Sequence, residues 1–273
     1  MNAVAIGPFA FDAERFTAVI GVVVFLFFSA FLARQVDDRL GRWSTSTALA
    51  GLAGARLFHV ASHAESFLGE PWRVLALWQG GFSWIGGVAG VAVMLLVLFI
   101  RNRSAFPWAA LSVVVGASAA LSTAMVTLES ETRLAPPAAA FPALSGKSIS
   151  IGSGGRPTVV NLWATWCPPC RRELPMMAEM ATASPDVDFV FINQGEGSAA
   201  VEAYLRQQDL KLSDVVLDPS LQLSGHYNAP GLPATLFLNA EGILVGSHLG
   251  EISREVLAEE IVKLQIPQQG TNE

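Results

Sequence analysis

Arg156-Pro157-Thr158-Val159-Val160-Asn161-Leu162-Trp163-Ala164-Thr165-Trp166-Cys167-Pro168-Pro169-Cys170-Arg171-Arg172-Glu173 is the stretch on which the reading of this 273-residue chain turns. Its opening, RPTVVNLW, is a β-branched apolar run that suits a buried strand. Residues 171–180 read as a helix. Between them stand Cys167 and Cys170, the only two cysteines in the chain. Thiols three positions apart at a helix start lie within disulfide reach. Cys167 falls at the helix N-terminus, where unpaired N–H groups and the dipole stabilise a thiolate. The thiolate is the form that attacks a disulfide. The spacing fits a redox pair in which Cys167 attacks and Cys170 resolves. A structural zinc site wants four ligands, of which one CxxC supplies two. The histidines, His59, His63, His226 and His248, show no ligand spacing. A purely structural disulfide closing so small a ring removes little unfolded-state entropy.

Downstream, residues 187–193 (VDFVFIN), 215–218, 234–239 and 242–248 read as strands, and 199–208 and 253–264 as helices. Alternating strands and helices give an α/β layer fold. The block from Asn161 to Glu173 resembles the active site of thioredoxin-fold proteins, nearest to their TlpA-like, ResA-like membrane-tethered branch. Gly231-Leu232-Pro233-Ala234-Thr235-Leu236-Phe237 resembles the second signature of that family. In the family this proline forms a cis peptide beside the dithiol. Most X–Pro bonds are trans, so a cis bond at Pro233 is what the resemblance implies. The resemblance covers residues 141–266. It implies a thiol–disulfide oxidoreductase acting on protein disulfides, with no redox cofactor beyond the Cys167–Cys170 dithiol. It also implies electrons from a transmembrane donor of the DsbD or CcdA kind. CPPC within this frame favours disulfide reduction, with dithiol oxidation as the alternative.

One departure from the family matters. Thioredoxin carries a buried Asp in the strand before its CxxC, and Asn161 stands there instead. An amide cannot carry a proton between thiols. Glu173, three residues after Cys170 on the same helical face, is the candidate replacement. Partly buried, its carboxyl would have a raised pKa and serve as proton shuttle. The alternative is a solvated glutamate favoured by the helix dipole. Trp163 and Trp166 are expected to pack around the site. Arg171 and Arg172 are placed to favour the thiolate but read more simply as solvated.

The first half is a different material. The chain is 52% hydrophobic, with a mean hydropathy of +0.44, high for a soluble enzyme. The excess lies before residue 130. Residues 16–33, 82–100 and 106–127 are apolar runs long enough to cross a bilayer. Residues 44–62 are a weaker fourth, containing Arg56 and His59. The acidic start, with Asp12 and Glu14, differs from the basic n-region of a cleaved signal peptide, so residues 16–33 read as a retained membrane helix. Arg34, Arg39 and Arg42 follow the first span, and Arg101 and Arg103 separate the third from the fourth. Positive loops stay cytoplasmic. Both are inside only if four spans cross, which puts both termini outside and the CPPC domain in the periplasm of a bacterial inner-membrane protein. Residues 135–273 carry 8 Lys+Arg against 15 Asp+Glu, which argues against a nucleic-acid partner. Residues 135–140, APPAAA, read as a short stiff linker.

Gly54-Ala55-Arg56-Leu57 and Trp78-Gln79-Gly80-Gly81-Phe82-Ser83-Trp84-Ile85-Gly86-Gly87 resemble parts of prolipoprotein diacylglyceryl transferase, over residues 15–127. That resemblance implies membrane lipid as a partner and lipoprotein diacylglyceryl transfer as an alternative activity. The family has a histidine where Ile85 stands, and its later Arg- and Asn-bearing signature is missing from residues 106–127. Losing groups that handle an anionic head group argues against the transfer. Arg56 remains as a candidate membrane-domain site, the alternatives being snorkelling or pairing with His59 or an acidic neighbour. Gly51, Gly54, Gly86, Gly87 and Gly90 are expected to serve helix packing. A third reading makes the membrane half a non-catalytic docking module. The expected architecture is multi-domain, an α-helical transmembrane bundle (1–134), a linker (135–140) and an α/β thioredoxin-like domain (141–273).

Overall fold

The computed structural model of the chain describes residues 3–6, 9–129 and 134–266. The ends of the expected domains at 1–2, 130–133 and 267–273 lie outside the described residues. The chain forms two compact units, one spanning Ala13–Ser130 and the other Glu131–Glu273 together with Met1–Asp12. The first element is an antiparallel hairpin, β1 (Ala3–Ile6) and β2 (Phe9–Asp12), which the sequence did not signal.

The helical unit comprises α1 (Ala13–Gln35), α2 (Arg39–Ser62), a short α3 (Ala64–Leu68), α4 (Trp84–Arg101) and α5 (Phe106–Glu129). Two 3-10 turns, Pro71–Leu75 and Leu77–Gln79, connect α3 to α4. Among the described residues, three helices are long and apolar enough to cross a membrane, at Arg15–Gln35, Trp84–Arg101 and Phe106–Thr127. α2 has the length, at 24 residues, but its arginines and hydroxyls make it less apolar. Large apolar side chains face outward, among them Val23 and Phe27 on α1, Val88 and Leu96 on α4, and Val114 and Leu121 on α5. Small polar ones, Ser44, Thr47 and Ser112, are buried. Outward apolar surface suits hydrocarbon, where helices associate through small residues and close backbone contact.

Gly54 and Gly86 carry that contact between α2 and α4. A Cβ on Gly54 would stand 2.5 Å from the Gly86 carbonyl oxygen, and one on Gly86 2.3 Å from that of Gly54. The Thr47 and Ser44 hydroxyls donate to the carbonyls of Trp43 (2.9 Å) and Gly41 (2.8 Å), which satisfies them within their own helix. Trp43 packs edge-on against Phe25, with centroids 6.1 Å apart, and its indole N–H donates to the Met94 carbonyl of α4 at 3.3 Å.

The second unit is built on β5 (Thr158–Trp163), every residue of which is buried. β5 is the middle of a five-stranded sheet. On one side it pairs in parallel with β6 (Asp188–Gln194), which pairs in parallel with β7 (Asp214–Asp218). On the other it pairs antiparallel with β8 (Ala234–Leu238), which pairs antiparallel with β9 (Leu244–Leu249). A strand covered on both faces reads as a continuous apolar run rather than an alternating one, and VVNLW does. Alternate residues then feed two cores. Val159, Trp163, Phe189 and Phe191 join Leu174 and Met177 of α6 (Pro168–Ala183), Val201 of α7 (Ser198–Gln207) and Leu257 of α9 (Arg254–Gln265). Val160, Leu162, Val190 and Ile192 face Leu223 of α8 (Gln222–His226) and Phe141 of the β3 (Ala140–Pro142)–β4 (Ser148–Ser150) hairpin.

Leu134, expected to close the membrane domain, and the start of the expected linker (135–140) lie along this unit. Leu134 accepts a hydrogen bond at 2.9 Å from the Leu244 N–H of β9, and the Ala135 carbonyl oxygen is 2.9 Å from His226 Nε2.

Gly86→Val is expected to wedge α2 and α4 apart at a cost of roughly 1–3 kcal/mol. Titrating a denaturing detergent into the full-length protein should then melt its helices earlier. Gly87→Ala, whose new Cβ would rest 3.6 Å from that of Ala55, should leave the midpoint in place. Equal effects would remove backbone contact as the cause.

Candidate active site

The parallel strand β5 ends at Trp163, and the chain turns through Ala164–Thr165–Trp166 into α6. Cys167 is the N-cap of α6, with Pro168 and Pro169 at its first positions. Pro suits that turn because the N–H it lacks has no helical partner there. Cys167 and Cys170 are disulfide-bonded, with Cα atoms 5.3 Å apart. The Cys170 N–H points at Cys167 Sγ (3.3 Å), so the first turn of the helix presents a donor to the sulfur that would carry charge. Both cysteines are buried, Cys167 at 3% exposure and Cys170 at 0%. Trp163 packs against Tyr204, with centroids 5.7 Å apart. Trp166 does not pack in. It is 67% exposed beside Cys167, because the turn aims it away from the sheet.

Pro233 immediately precedes β8, and the Leu232–Pro233 peptide is cis. The pairing of Ala234 with Leu162 sets Pro233 beside the end of β5 from which the CPPC turn departs. The Gly250 N–H donates to the Pro233 carbonyl at 2.9 Å and holds this loop to the end of β9.

Glu173 is one turn past Cys170 and 2% exposed. Its Oε1 accepts from Asn161 Nδ2 (2.8 Å) and its Oε2 from the Ile252 N–H (3.0 Å). Burial raises its pKa from 4.5 to about 8; the two hydrogen bonds work against the rise, nearby Glu251 adds to it, and Arg172 opposes it. Asn161 thus occupies the family's acid position without replacing the acid: it donates to a carboxyl supplied by the helix. Arg172 is not simply solvated, since Nε and Nη2 reach Glu251 Oε2 at 2.9 and 2.5 Å. Arg171 lies over the Tyr204 ring, 5.5 Å from its centroid.

Glu196, which the sequence did not single out, clamps the turn before the cysteines. Its carboxylate accepts from the Thr165 N–H (2.7 Å), the Thr165 hydroxyl (2.5 Å) and Asn193 Nδ2 (2.7 Å). Nothing in the local pattern GEG marks it, because its partner lies 31 positions away.

In the helical unit Arg56 is 6% exposed. Its Nε donates to the Val74 carbonyl (3.0 Å), Nη1 to Gly80 (2.7 Å) and Gly81 (2.9 Å), and Nη2 to Arg73 (2.6 Å) and Ala76 (3.5 Å). A guanidinium has five N–H donors, and each has a main-chain carbonyl within reach. The segment 73–81 is wrapped on this one side chain. His59 and His63, read from sequence as lacking ligand spacing, stack one turn apart with ring centroids 4.5 Å apart.

Residues 131–263 match the Redoxin family, and residues 2–126 match prolipoprotein diacylglyceryl transferase. Thiol-disulfide oxidoreductase ResA of Halalkalibacterium halodurans is 30% identical over 128 residues, covering 46% of this chain and 72% of that protein. A ResA of Bacillus cereus is 31% identical over 117 residues, 42% of this chain and 67% of the relative. Sporulation thiol-disulfide oxidoreductase A of Bacillus subtilis is 29% identical over 121 residues, 42% and 73% of the two chains.

The folded protein holds the Glu173 proton more tightly than the unfolded chain does. Between pH 4.5 and about 8 the native state therefore binds more protons, and stability falls as pH rises through that window. The full loss is on the order of a few kcal/mol. Thermal unfolding of the oxidised protein should show the parent losing stability from pH 5 to 9 relative to Glu173→Gln. Parallel curves would place the carboxyl in water.

Proposed function

We propose that this chain, which belongs through its C-terminal half to the ResA-like thiol–disulfide oxidoreductases of the thioredoxin fold, is a membrane-anchored disulfide reductase facing the periplasm. The observation that carries the mechanism is the Cys167–Cys170 pair at the start of α6, with the Glu173 carboxyl buried one turn further on. In the reduced protein the Cys167 thiolate attacks a substrate disulfide. A Cys167–substrate bond forms, the substrate S–S bond breaks, and one substrate thiolate leaves. Glu173 takes the proton of Cys170, whose thiolate attacks Cys167 and releases the second substrate thiol. Two electrons pass to the substrate, and the dithiol becomes the disulfide. A carboxyl at about 8 lies close to the ordinary thiol value of ~8.5, so the proton moves either way at little cost. The dithiol is the redox cofactor. Exposed Trp166 and the Pro233 loop flank the sulfurs and receive the substrate chain.

Topology rests on charge. Arg34 in the last turn of α1, Arg39 and Arg42 at the start of α2, Arg101 at the end of α4 and Arg103 just after it are all exposed. They favour a cytoplasmic side for both loops. With α2 crossing as well, the redox domain is outside, where a membrane donor of the DsbD or CcdA kind returns electrons. The helical half acts as anchor and docking module. Arg56, occupied by main-chain carbonyls, and Ile85 in place of a histidine weigh against lipid transfer. Modification of a lipobox peptide by the purified chain with phospholipid would restore the transferase reading.

The reduction potential decides direction. A reductase should lie near about −270 mV and an oxidase near about −120 mV, a gap of roughly 7 kcal/mol for two electrons. Cys170→Ser should trap mixed disulfides and Cys167→Ser should not. Alkaline phosphatase fused after Glu273 should be active. An oxidising potential would overturn the direction, trapping through Cys170 the assignment of the nucleophile, and a silent fusion the topology.

A further inference from the structure

We propose that Arg172 and Glu251 are a matched pair of opposite charges that sets how firmly Glu173 holds its proton, and that they are positioning residues for that carboxyl. The inference deepens the oxidoreductase reading and rests on it only for its kinetic consequence.

Two consecutive residues of α6 meet two consecutive residues of the loop between β9 and α9. Arg172 reaches Glu251 through Nε (2.9 Å) and Nη2 (2.5 Å), both on Oε2. Glu173 accepts at 3.0 Å from the N–H of Ile252, the next residue. The Glu251 side chain is 4% exposed and that of Arg172 53%. The Glu251 carboxyl is therefore held out of water on the residue next to the Glu173 donor, with the Arg172 guanidinium bonded to it. Coulomb interactions strengthen as water is excluded. An adjacent anion disfavours ionisation of a carboxyl and an adjacent cation favours it. Burial is the main cause of the raised Glu173 value, with Glu251 adding to it and Arg172 opposing it.

Other groups among the described residues come from the elements packed around Glu173. From β5 and β8 come uncharged Asn161 and Thr235, 3.4 Å apart. From β9 comes His248, whose Nε2 is 3.4 Å from the Glu251 carbonyl oxygen. Glu255, buried, opens α9. On α6 itself are the disulfide and Arg171, which turns to Tyr204. A pair that merely staples the loop to the helix would stabilise the fold without moving the Glu173 titration in two directions.

The test uses the full-length oxidised chain in micelles. The infrared carbonyl stretch of the protonated Glu173 carboxyl, identified by its loss in Glu173→Gln, is followed from pH 5 to 10. Arg172→Gln should move its midpoint up, by about threefold or more in proton affinity. Arg172→Glu should move it further, and Arg172→Lys should restore it. Glu251→Gln should move it down, with the double variant between. Midpoints that stay put, or that move the same way in Arg172→Gln and Glu251→Gln, would overturn the proposal. If Glu251→Gln fails to fold, the graded Arg172 series decides alone. In parallel, the pH–rate profile of the reduced chain with oxidised glutathione is recorded. Midpoints that move as stated while rates ignore Glu173→Gln would remove Glu173 from the exchange and leave the charge pair standing. Fixed midpoints with rates that depend on Glu173 would do the reverse.

Discussion

A carboxyl taken out of water must be neutral or well matched, and Glu173 meets that condition with two donors from different parts of the chain. One comes from Asn161 in the central strand and one from the main chain at Ile252. Three elements, β5, α6 and the loop before α9, therefore converge on a single side chain. The helix that carries the cysteines is fixed to the sheet by a buried carboxyl one turn beyond them. The contacts that hold the carboxyl also tune its proton affinity. Glu196 performs a simpler version of the same task on the other side of the cysteines, where a carboxylate pins Thr165 and with it the turn that delivers Cys167.

The helical half solves the opposite solvent problem. Its apolar side chains point out and its packing relies on absent ones, as at Gly54 and Gly86. Where its chain is irregular, between α3 and α4, buried main-chain carbonyls need donors that neither a helix nor a ladder supplies. Arg56 provides five at once. A charge buried on α2 is then explained by the backbone it satisfies, with Phe67 and Phe82 rings 5.6 and 5.8 Å from its Cζ.

What the sequence made legible was local. Thr158–Trp163 is apolar on both faces and reads as a central strand; Cys167 through Glu173 reads as a capped helix with one carboxyl on the motif's face. The long apolar runs read as membrane helices. What stayed hidden depends on register between distant segments. Arg172 and Glu251 are 79 positions apart, and each alone looks like a surface charge. The β3–β4 hairpin and five-residue α8 are too short to show a period. Arg56 was visible as an anomaly, but its partners lie in 3-10 turns with no pattern to announce them. Trp166 misled because an aromatic beside a buried motif looks like core, and only the turn geometry shows it outward.

The hydrogen bond from Leu244 to Leu134 covers part of an open sheet margin, since β9 is an outermost strand. This decides how the redox domain fares if it is ever cut free of the helical unit. A protease cutting upstream of Leu134 would release a domain with that margin still dressed by its own chain. One cutting a few residues later would release a domain whose bare strand can pair with a neighbour. The same domain would then be either a diffusible oxidoreductase or the seed of an aggregate, depending on which peptide bond was severed.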